Sequence, residues 1–479
     1  MVSKPDLKYF GLKHSNPDTG LMKTSSNQDL SNIHRNVLRV LGEVGVKFEH
    51  PKLLEAVAGI GAEIDAKNQV ARFPTSVVEA FLADCPKTDW ENREQKLLVR
   101  ASTYTGRYLD PHTNIHGPLT TENIERYMRL AHALPNINAR FITGCPWGPS
   151  SELEPLYERF YCWKFGAEPS AILYPQDTAP RLLDLYQTYA RLKGKTVNEV
   201  FRGGVFMMSP LRMSAEEATQ FVWWWSRGFD VRIDHMTTAG LTGPVTPAGV
   251  VVVHLAEAIS IGLLRKACYG TSELDMLAML APVDMRTTTR PYGRPEMATQ
   301  NQLFAKMARF YGAGCFLHAG VVDAHLPSNE SGVQKAVCTL ASLLTGADTM
   351  IDAGGLSTCD GHSPIQMIFD NELAGALQSF LRPYDCSDDA IGFDAIAETG
   401  PGGLFIFHDH TVERFREEIW EPALWNRVSL EQWLSGERKI DVDLAREKYD
   451  AIMASVPPLN DLSEQEEREL LEVIGASVG

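Results

Sequence analysis

The chain has 479 residues and a formal net charge of −16, with 44% hydrophobic and 22% charged side chains. This acidic balance argues against a partner that is nucleic acid or an anionic membrane surface. No apolar run reaches the ~18 residues of a spanning helix, and the first residues lack the apolar stretch of a signal peptide. The eight cysteines stand singly, without a CxxC pair, so we expect a cytoplasmic protein without disulfides or a zinc knuckle.

The first 118 residues predict an irregular arm followed by a small α+β region. Residues 1–26 are rich in Lys, Ser, Asn and Pro. Leu30, Ile33 and Val37 then recur at helical spacing, which predicts a helix. Short strand and helix patterns follow, and Leu97–Ala101 with Arg107–Leu109 reads as a hairpin.

From Thr121 onward, short apolar runs alternate with amphipathic helical patterns, which indicates an α/β domain with a parallel sheet. About eight such units favour a (β/α)8 TIM barrel, predicted over residues 119–427, with a C-terminal helical tail over residues 428–479. A GxGxxG fingerprint and a P-loop are both missing. The predicted runs number one more than a barrel needs, and Val283–Met285 is the weakest of them. They are Phe141–Thr143, Ala171–Tyr174, Gly204–Met208, Val231–Ile233, Cys268–Tyr269, Val283–Met285, Cys315–His318, Met350–Asp352 and Leu404–Phe407.

In such a barrel the active site lies where strands end and loops begin. The loop after Cys315–His318 is dense in reactive groups, although solvated loops carry polar residues in any case. Other strand ends carry Asp234 with His235, and Asp352 with two glycines. The full set of polar candidates at these positions is Cys145, Ser209, Asp234, His235, Asp284, Arg286, His318, Asp323, Asn329, Glu330, Asp352, His408, Asp409 and His410.

Two further patterns bear on chemistry. His408 and His410, two residues apart on an expected strand, would project to one side and invite a metal. A third ligand at a recognised spacing is missing, so we expect no bound metal. Aromatic residues near the expected strand ends could cage a quaternary ammonium, and the alternate aromatics of one run would face one side. They include Tyr104, Phe206, Tyr269, Phe405 and Phe407.

Five long, ordered motifs between about Leu30 and Arg427 resemble the trimethylamine methyltransferase family. They are IHRNVLRVLGEVGVKF (33–48), GLTGPVTPAG (240–249), GVVDAHLPSNESGVQK (320–335), DAGGL (352–356) and FIFHDHTVERFREEIWEPALWNR (405–427). The resemblance implies a (β/α)8 barrel that transfers a methyl group from an amine to the cobalt of a separate corrinoid (cobalamin) protein.

One departure from the family pattern narrows the expected substrate. The archaeal trimethylamine enzymes carry pyrrolysine in the loop that 320–335 resembles, whereas here Gly332, or Ser331 in the neighbouring register, stands at that place. The chain is therefore similar to the non-pyrrolysine branch, whose members demethylate quaternary amines such as glycine betaine, proline betaine and carnitine. Glycine betaine is the expected substrate, in one-carbon metabolism, with release of dimethylglycine.

The resemblance also implies roles for individual residues. Asn329, Glu330 and Gly332 would line the path of methyl transfer. Substrate would be held by two kinds of group, with His318 near the reacting centre. The aromatic residues Tyr104, Phe206, Tyr269, Phe405 and Phe407 would hold the N-methyl groups. Arg286, His318 or the backbone near Gly354 and Gly355 would hold the carboxylate, and His408 would also bind the substrate.

Two alternatives remain open from the sequence. One is a metal-dependent barrel hydrolase or lyase that uses His408, His410 and a carboxylate. The other is a non-catalytic protein that binds betaine or corrinoid. The methyltransferase would have two partners, a small quaternary amine substrate and a corrinoid protein. The hydrolase or lyase would have only a small-molecule substrate. A homo-oligomer is expected from the apolar and helical surfaces.

Overall fold

The computed structural model describes residues 10–12, 25–101, 106–141, 144–150, 152–169, 173 and 176–475. Within them parallel strands alternate with helices, so the α/β class expected from the sequence is confirmed. Most of the expected arm, the strand Ala171–Tyr174 apart from Leu173, the last two residues of the expected strand Phe141–Thr143, and Tyr104 lie outside the described residues.

The N-terminal part forms the expected helix and a small sheet. Strand β1 (Phe10–Leu12) is followed by α1 (Asn27–Arg39), which begins at a capping box made by Ser26 and Asp29. The chain continues through a π-helical turn, Val40–Val44, and leaves it at Gly45, where φ is 82°. The next elements are β2 (Val46–Phe48), α2 (Pro51–Ala58), β3 (Glu63–Asp65), β4 (Val70–Arg72) and α3 (Thr75–Asp84).

The remaining strands are mostly short. They are β5 (Gln95–Ala101), β6 (Arg107–Leu109), β7 (His116–Pro118), β8 (Ala139–Arg140), β9 (Gly204–Met207), β10 (Arg212–Met213), β11 (Arg232–His235), β12 (Thr238–Ala239), β13 (Met276–Ala278), β14 (Ala281–Pro282), β15 (Cys315–His318), β16 (Asp348–Ala353), β17 (Gly355–Leu356) and β18 (Gly361–His362).

The main sheet has the order β1-β5-β16-β15-β13, with β8 also paired to β5. Every pair in it is parallel except the edge pair of β1 with β5. Two parallel pairs, β9 with β11 and β12 with β14, stand beside it. Two four-stranded sheets, β10-β2-β4-β3 and β17-β18-β6-β7, complete the topology.

Helices follow the strands. They are α4 (Thr121–Ala133), α5 (Glu154–Lys164), α6 (Ala179–Leu192), α7 (Val197–Val200), α8 (Ala215–Trp225), α9 (Pro247–Tyr269), α10 (Pro295–Tyr311), α11 (Asn329–Leu343), α12 (Pro364–Phe380), α13 (Asp388–Ile391), α14 (Phe393–Thr399), α15 (Asp409–Glu418), α16 (Leu430–Ser435), α17 (Asp441–Ser455) and α18 (Glu464–Ile474). The C-terminal helices pack back onto the domain, α17 on α4 and α12, and α18 on α5 and α6.

Three strand predictions and one predicted strand pairing are wrong. Cys268–Tyr269 is the last turn of α9, which runs on to Gly270 in the left-handed conformation. Val283–Met285 is a loop after β14, and Leu404–Phe407 contains an exposed 3-10 turn, Phe405–Phe407. Leu97–Ala101 does not form a hairpin with Arg107–Leu109 but pairs in parallel with β16. The strand β13 stands where no strand was expected.

The two faces of the main strands differ in their surroundings. Val205, Met207 and Ile233 pack into the large core shared with the helices. Because side chains alternate along a strand, the residues between them point to the opposite face. On that face a separate cluster contains Leu98, Ala139 and Met350, with Phe141 and Phe316 packed against it. We call this the inner face.

Helix α9 is long and apolar enough to cross a membrane, by length and composition. However, 72% of its most apolar window is buried inside the protein. Its burial makes α9 a core helix of the domain.

Candidate functional site

Asp352, near the C-terminal end of β16, is the centre of a buried polar constellation on the inner face. Its Oδ1 accepts a hydrogen bond of 2.7 Å from Nε of Arg100, which comes from the neighbouring strand β5. Its Oδ2 contacts Nε2 of His318, the last residue of β15 on its other side. Three adjacent parallel strands therefore end in one linked set of charged groups, as the C-terminal edge of such a sheet allows.

The constellation keeps Asp352 ionised. Burial would by itself raise the pKa of Asp352, but Arg100 and His318 outweigh burial and hold that pKa well below its usual range. The other ring nitrogen of His318, Nδ1, lies 3.0 Å from Sδ of Met279, just beyond β13. The ionised Asp352, paired with Arg100, thus lies on one side of the His318 ring and the sulfur of Met279 lies on the other.

The turn after Asp352 is built without spare space. Gly354 has a φ of 82°, and a Cβ there would lie 1.9 Å from Oη of Tyr127. Its backbone N–H donates to Oδ2 of Asp370 at 2.7 Å, and Lys335 bridges the same carboxylate and the Asp352 carbonyl. Since this N–H already has a partner, the backbone at Gly354 does not offer it to a ligand.

Arg290 supplies a cation that has no matching anion in the described part of the chain. Its Nη2 donates to the Met279 carbonyl, whereas Nε and Nη1 are buried and have no hydrogen-bond partner among the described residues. Its guanidinium carbon lies 5.0 Å from the centre of the Tyr292 ring, and Tyr292 contacts Sδ of Met236 at 3.7 Å. Burial lowers the pKa of Arg290. An unsatisfied buried guanidinium is costly unless an anion approaches it.

The segment beside Arg290 is strained. Ser357, Thr358 and Cys359 all have positive φ, between 54° and 77°, and none is glycine. Each such residue costs about 1–3 kcal/mol and persists where the surroundings enforce it, often at functional sites. Two backbone hydrogen bonds, from Ser357 to the Ala324 carbonyl and from Thr358 to the Val322 carbonyl, hold this segment against the loop after β15.

Of the predicted catalytic residues, His318 lies in the constellation. Asn329 and Glu330 are exposed in the first turn of α11, and Glu330 accepts from the Gln334 amide at 3.3 Å. Gly332 follows in the same helix, and a Cβ there would meet no atom within 4 Å. Ser331 is buried in the capping box of α11. A larger side chain could therefore be accommodated at the exposed Gly332 and not at the buried Ser331.

The predicted substrate-binding residues are scattered. Phe206 lies on β9 between Val205 and Met207, which places it on the inner face. Tyr269 lies at the opposite end of the strands, where its hydroxyl contacts Phe229 and Val231. Arg286 is exposed, and its backbone donates to Asp284. Gly355 pairs with His362 in the small sheet, and Tyr104 lies outside the described residues.

Phe405, Phe407 and His408 do not reach the inner face. The two phenylalanines lie in a surface 3-10 turn, 42% and 84% exposed, so their expected alternation on a strand is wrong. His408 is the N-cap of α15, where Nδ1 accepts from the backbone of His410 and Nε2 contacts Glu398. Because His410 stands inside the helix, the two histidines do not project together from an extended segment.

Sequence reasoning missed Arg100 and Arg290. Arg100 cannot be recognised as a site residue from the sequence, because the local pattern predicts its strand, β5, as part of a hairpin outside the main sheet. Arg290 follows an irregular loop, so no strand end pointed to it. The available signal is its position two residues before the aromatic Tyr292 and four residues after the candidate Arg286.

A cleft of about 440 Å³ lies elsewhere, between the C-terminal half of α12 and the end of α15. Gly375, Gln378 and Trp420 line it, and it contains none of the predicted site residues. The concentration of buried charge at Asp352 is therefore the stronger indication of the site.

Comparisons with known proteins show the family to which the chain belongs. The profile described as trimethylamine methyltransferase (MTTB) matches residues 6–475, so the chain belongs to that family and is a methyltransferase. It is 23% identical over 454 residues to trimethylamine methyltransferase MttB of Desulfitobacterium hafniense strain DCB-2, covering 90% of both chains. It is 24% identical over 452 residues to glycine betaine methyltransferase of strain Y51, covering 90% of this chain and 92% of that one.

Among solved structures, the chain is similar to monomethylamine methyltransferase of Methanosarcina barkeri, with a TM-score of 0.46 and 10% identity. That alignment covers 90% of this chain and 88% of the other.

Proposed function

We propose that this methyltransferase removes a methyl group from a carboxylate-bearing quaternary amine, glycine betaine first, and delivers it to a corrinoid held by a separate protein. The observation that carries the proposal is a buried guanidinium, Arg290, that has no anion among the described residues. It donates to the carbonyl of Met279, whose sulfur contacts His318, and His318 in turn contacts the ionised Asp352, which is paired with Arg100. A zwitterion would give Arg290 a carboxylate partner and place its cation toward the Asp352 side of this cluster.

The chemistry asks little of the side chains. A quaternary ammonium loses a methyl group as a neutral tertiary amine, so the amine needs no general acid or base. The corrinoid, as Co(I), supplies the nucleophile. The work left to this chain is to hold the substrate in line and to exclude water. Arg290 would hold the carboxylate, while Asp352, Met279, Tyr292 and Phe206 would surround the trimethylammonium group.

The place of pyrrolysine in the family supports a quaternary rather than tertiary amine. Gly332 stands there, exposed and with no atom within 4 Å of an added Cβ, so that place carries no reactive side chain, and we propose that this open space is the passage for methyl transfer. Asn329 and Glu330, exposed in the first turn of α11, would line this passage for the corrinoid. The hydrolase alternative receives no support, since His408 caps a helix.

We propose that the strands close into a (β/α)8 barrel in the order β5, β8, the segment of Glu168 and Leu173, β9, β11, β13, β15 and β16. Parallel contacts support the less regular junctions. Phe141 bridges Glu168, and the Leu173 N–H donates to the Gly204 carbonyl at 2.8 Å. Pairing of β12 with β14 continues β11 and β13. A crystal structure with β11 and β13 splayed apart would contradict closure.

The partners follow from the same arrangement. The corrinoid protein would dock over the strand C-termini, and we propose the cytoplasm as its location and that of this chain. A second copy of the chain would cover residues 380–440, which we call the apolar segment. It holds 17 of the 29 exposed large apolar side chains among the described residues.

A demethylation assay tests the reaction. Purified protein, reduced Co(I) cobalamin or a corrinoid protein, and one amine at a time are mixed, and methyl-Co(III) is followed by absorbance. The panel is glycine betaine, proline betaine, carnitine, γ-butyrobetaine and trimethylamine. We expect methyl-Co(III) with glycine betaine and none with trimethylamine. Activity with trimethylamine alone would overturn the proposed substrate class.

A further inference from the structure

A second buried cluster lies on the opposite face of the strands from Asp352. His235 ends β11, and His254 and Glu257 lie one turn apart on α9, where they face that strand. Nδ1 of His235 is 3.0 Å from Oε2 of Glu257. His254 and Glu257 are fully buried, and the side chain of His235 is 6% exposed. The proposed methyl transfer does not use these groups.

The cluster is short of one proton. Nε2 of His254 lies 2.9 Å from the Leu277 carbonyl, which can only accept, so this nitrogen carries the hydrogen and Nδ1 of the neutral ring is an acceptor. The hydroxyl of Thr237 lies 3.0 Å from that Nδ1 and 2.8 Å from Oε2 of Glu257. The single hydroxyl hydrogen of Thr237 can be donated to only one of these two acceptors. The other short contact of the hydroxyl therefore joins two acceptor atoms with no hydrogen between them.

The carboxylate of Glu257 lacks a permanent cation among the described residues. Its Oε2 is approached by the hydroxyls of Ser209 and Thr237, and its Oε1 accepts from the backbone of Leu211. The basic group that contacts it is the His235 ring, and no described lysine or arginine does. A buried carboxylate without a permanent cation carries a large desolvation penalty, which a bound metal ion would offset.

We propose that His235, His254 and Glu257 bind one divalent transition-metal ion, with zinc the first candidate. One ligand atom from each of the three lies within 4.8 Å of the others. Two imidazole nitrogens and a carboxylate oxygen are a donor set that zinc uses in proteins. The hydroxyl of Thr237 is placed as a fourth ligand. The hydrogen bond from His254 to the Leu277 carbonyl is the outer-shell contact that fixes the tautomer of a metal-bound histidine.

The burial of every ligand makes this a structural site. It joins the end of β11 to α9 and, through Ser209 and Leu211, to the turn that leads into β10. Strand β10 pairs with β2, so the ion would fasten the N-terminal sheet to the main domain. This differs from the expectation, drawn from the sequence, that the chain holds no metal.

Metal content of the purified full chain tests the proposal, measured by elemental analysis after equilibration with zinc and gel filtration. The test variants are His235→Asn and Glu257→Gln. The control is His34→Asn, which removes another histidine–glutamate contact, that of His34 with Glu79, outside the cluster. We expect one equivalent of zinc in the parent and control, and binding about tenfold weaker or worse in both test variants.

Cobalt substitution gives a readout that does not depend on a variant's stability. The parent chain, stripped of metal and loaded with Co²⁺, should show the intense visible bands of tetrahedral cobalt. A folded parent chain that takes up no metal would overturn the proposal. So would a metal retained by both test variants, since it would then lie elsewhere. Neither outcome depends on methyl transfer, so this test and that of the proposed function fail separately.

Discussion

At the scale of single residues, Arg290 separates ligand binding from stability. Arg290→Met removes a buried cation that has no anion among the residues that the structure describes. We expect the free energy of unfolding to stay constant or rise. Affinity for glycine betaine should fall by about tenfold or more, because hydrogen bonds to charged groups contribute about 1.5–3 kcal/mol. Isothermal titration calorimetry measures the affinity, and urea unfolding measures the stability.

Arg286→Met is the matched control for that experiment. Arg286 is exposed and lies four residues earlier in the same loop, so its replacement should leave betaine affinity unchanged. Equal losses of affinity in the two variants would show a general electrostatic effect. A loss in Arg286→Met alone would return the carboxylate site to the residue chosen from sequence.

Replacement of Asp352, unlike that of Arg290, should lower the free energy of unfolding. Asp352→Asn leaves Arg100 and His318 buried beside a neutral group, and losing one partner of a buried pair costs about 3–5 kcal/mol. The folded-state pKa of Asp352 is depressed, so its contribution is full above the unfolded pKa of about 3.9 and is lost as the pH falls toward the folded pKa. Between about pH 5 and pH 3, unfolding free energy should decline more steeply in the parent than in Asp352→Asn. Parallel curves would contradict the assigned charge state.

At the scale of elements, two glycines test how tightly the site is built. Gly354→Ala places a Cβ against Tyr127 and the Ser363 carbonyl in a left-handed conformation. We expect a loss of about 2–5 kcal/mol in unfolding free energy. Gly332→Ala is the control, because it lies in α11 with open space around it, and alanine there should stabilise by about 0.5–1 kcal/mol. Denaturant unfolding distinguishes them, and similar losses in both variants would refute the geometry of the turn after β16.

The elements that sequence predicts well are those whose signals are local. The spacing of Leu30, Ile33 and Val37 predicts α1 without reference to the rest of the chain. The strand β5 is predicted at the right residues but with the wrong partner. Its true partner, β16, lies some 250 residues away, and no local pattern indicates that pairing. Cys268 and Tyr269 are predicted as a separate strand because Arg265 and Lys266 interrupt the apolar run before them, whereas α9 continues through both and ends at Gly270.

The same limit applies to the candidate site. His318 and the glycines after Asp352 could be found because they directly follow apolar runs. Arg290 lies after a loop, and its meaning comes from missing partners, which only the folded structure shows. Phe405 and Phe407 are predicted to be part of an aromatic cage because, on a strand, residues two apart face the same side. In the structure they lie in a 3-10 turn, which places both at the surface.

At the scale of the whole molecule, the apolar segment predicts self-association. Tyr384, Phe393 and Phe407 are each at least 70% exposed. Monomers rarely expose contiguous apolar patches beyond about 300–600 Å², and stable homodimer interfaces bury about 2,000 Å² or more. A second copy placed against residues 380–440 would remove this surface from water, whereas a transient corrinoid partner must leave after each methyl transfer and is better served by a more polar contact.

The expected result is a dimer or larger oligomer at micromolar concentration, measured by light scattering after gel filtration. The double variant Phe393→Ser with Phe407→Ser should shift the chain toward monomer, because both side chains are exposed and their loss creates no cavity. Val44→Ser, which replaces a 58% exposed apolar residue outside the segment, should leave the mass unchanged. A monomeric parent chain that stays soluble would mean that the apolar segment is covered by something other than a second copy, and the corrinoid protein would then be the first partner to test by the same method.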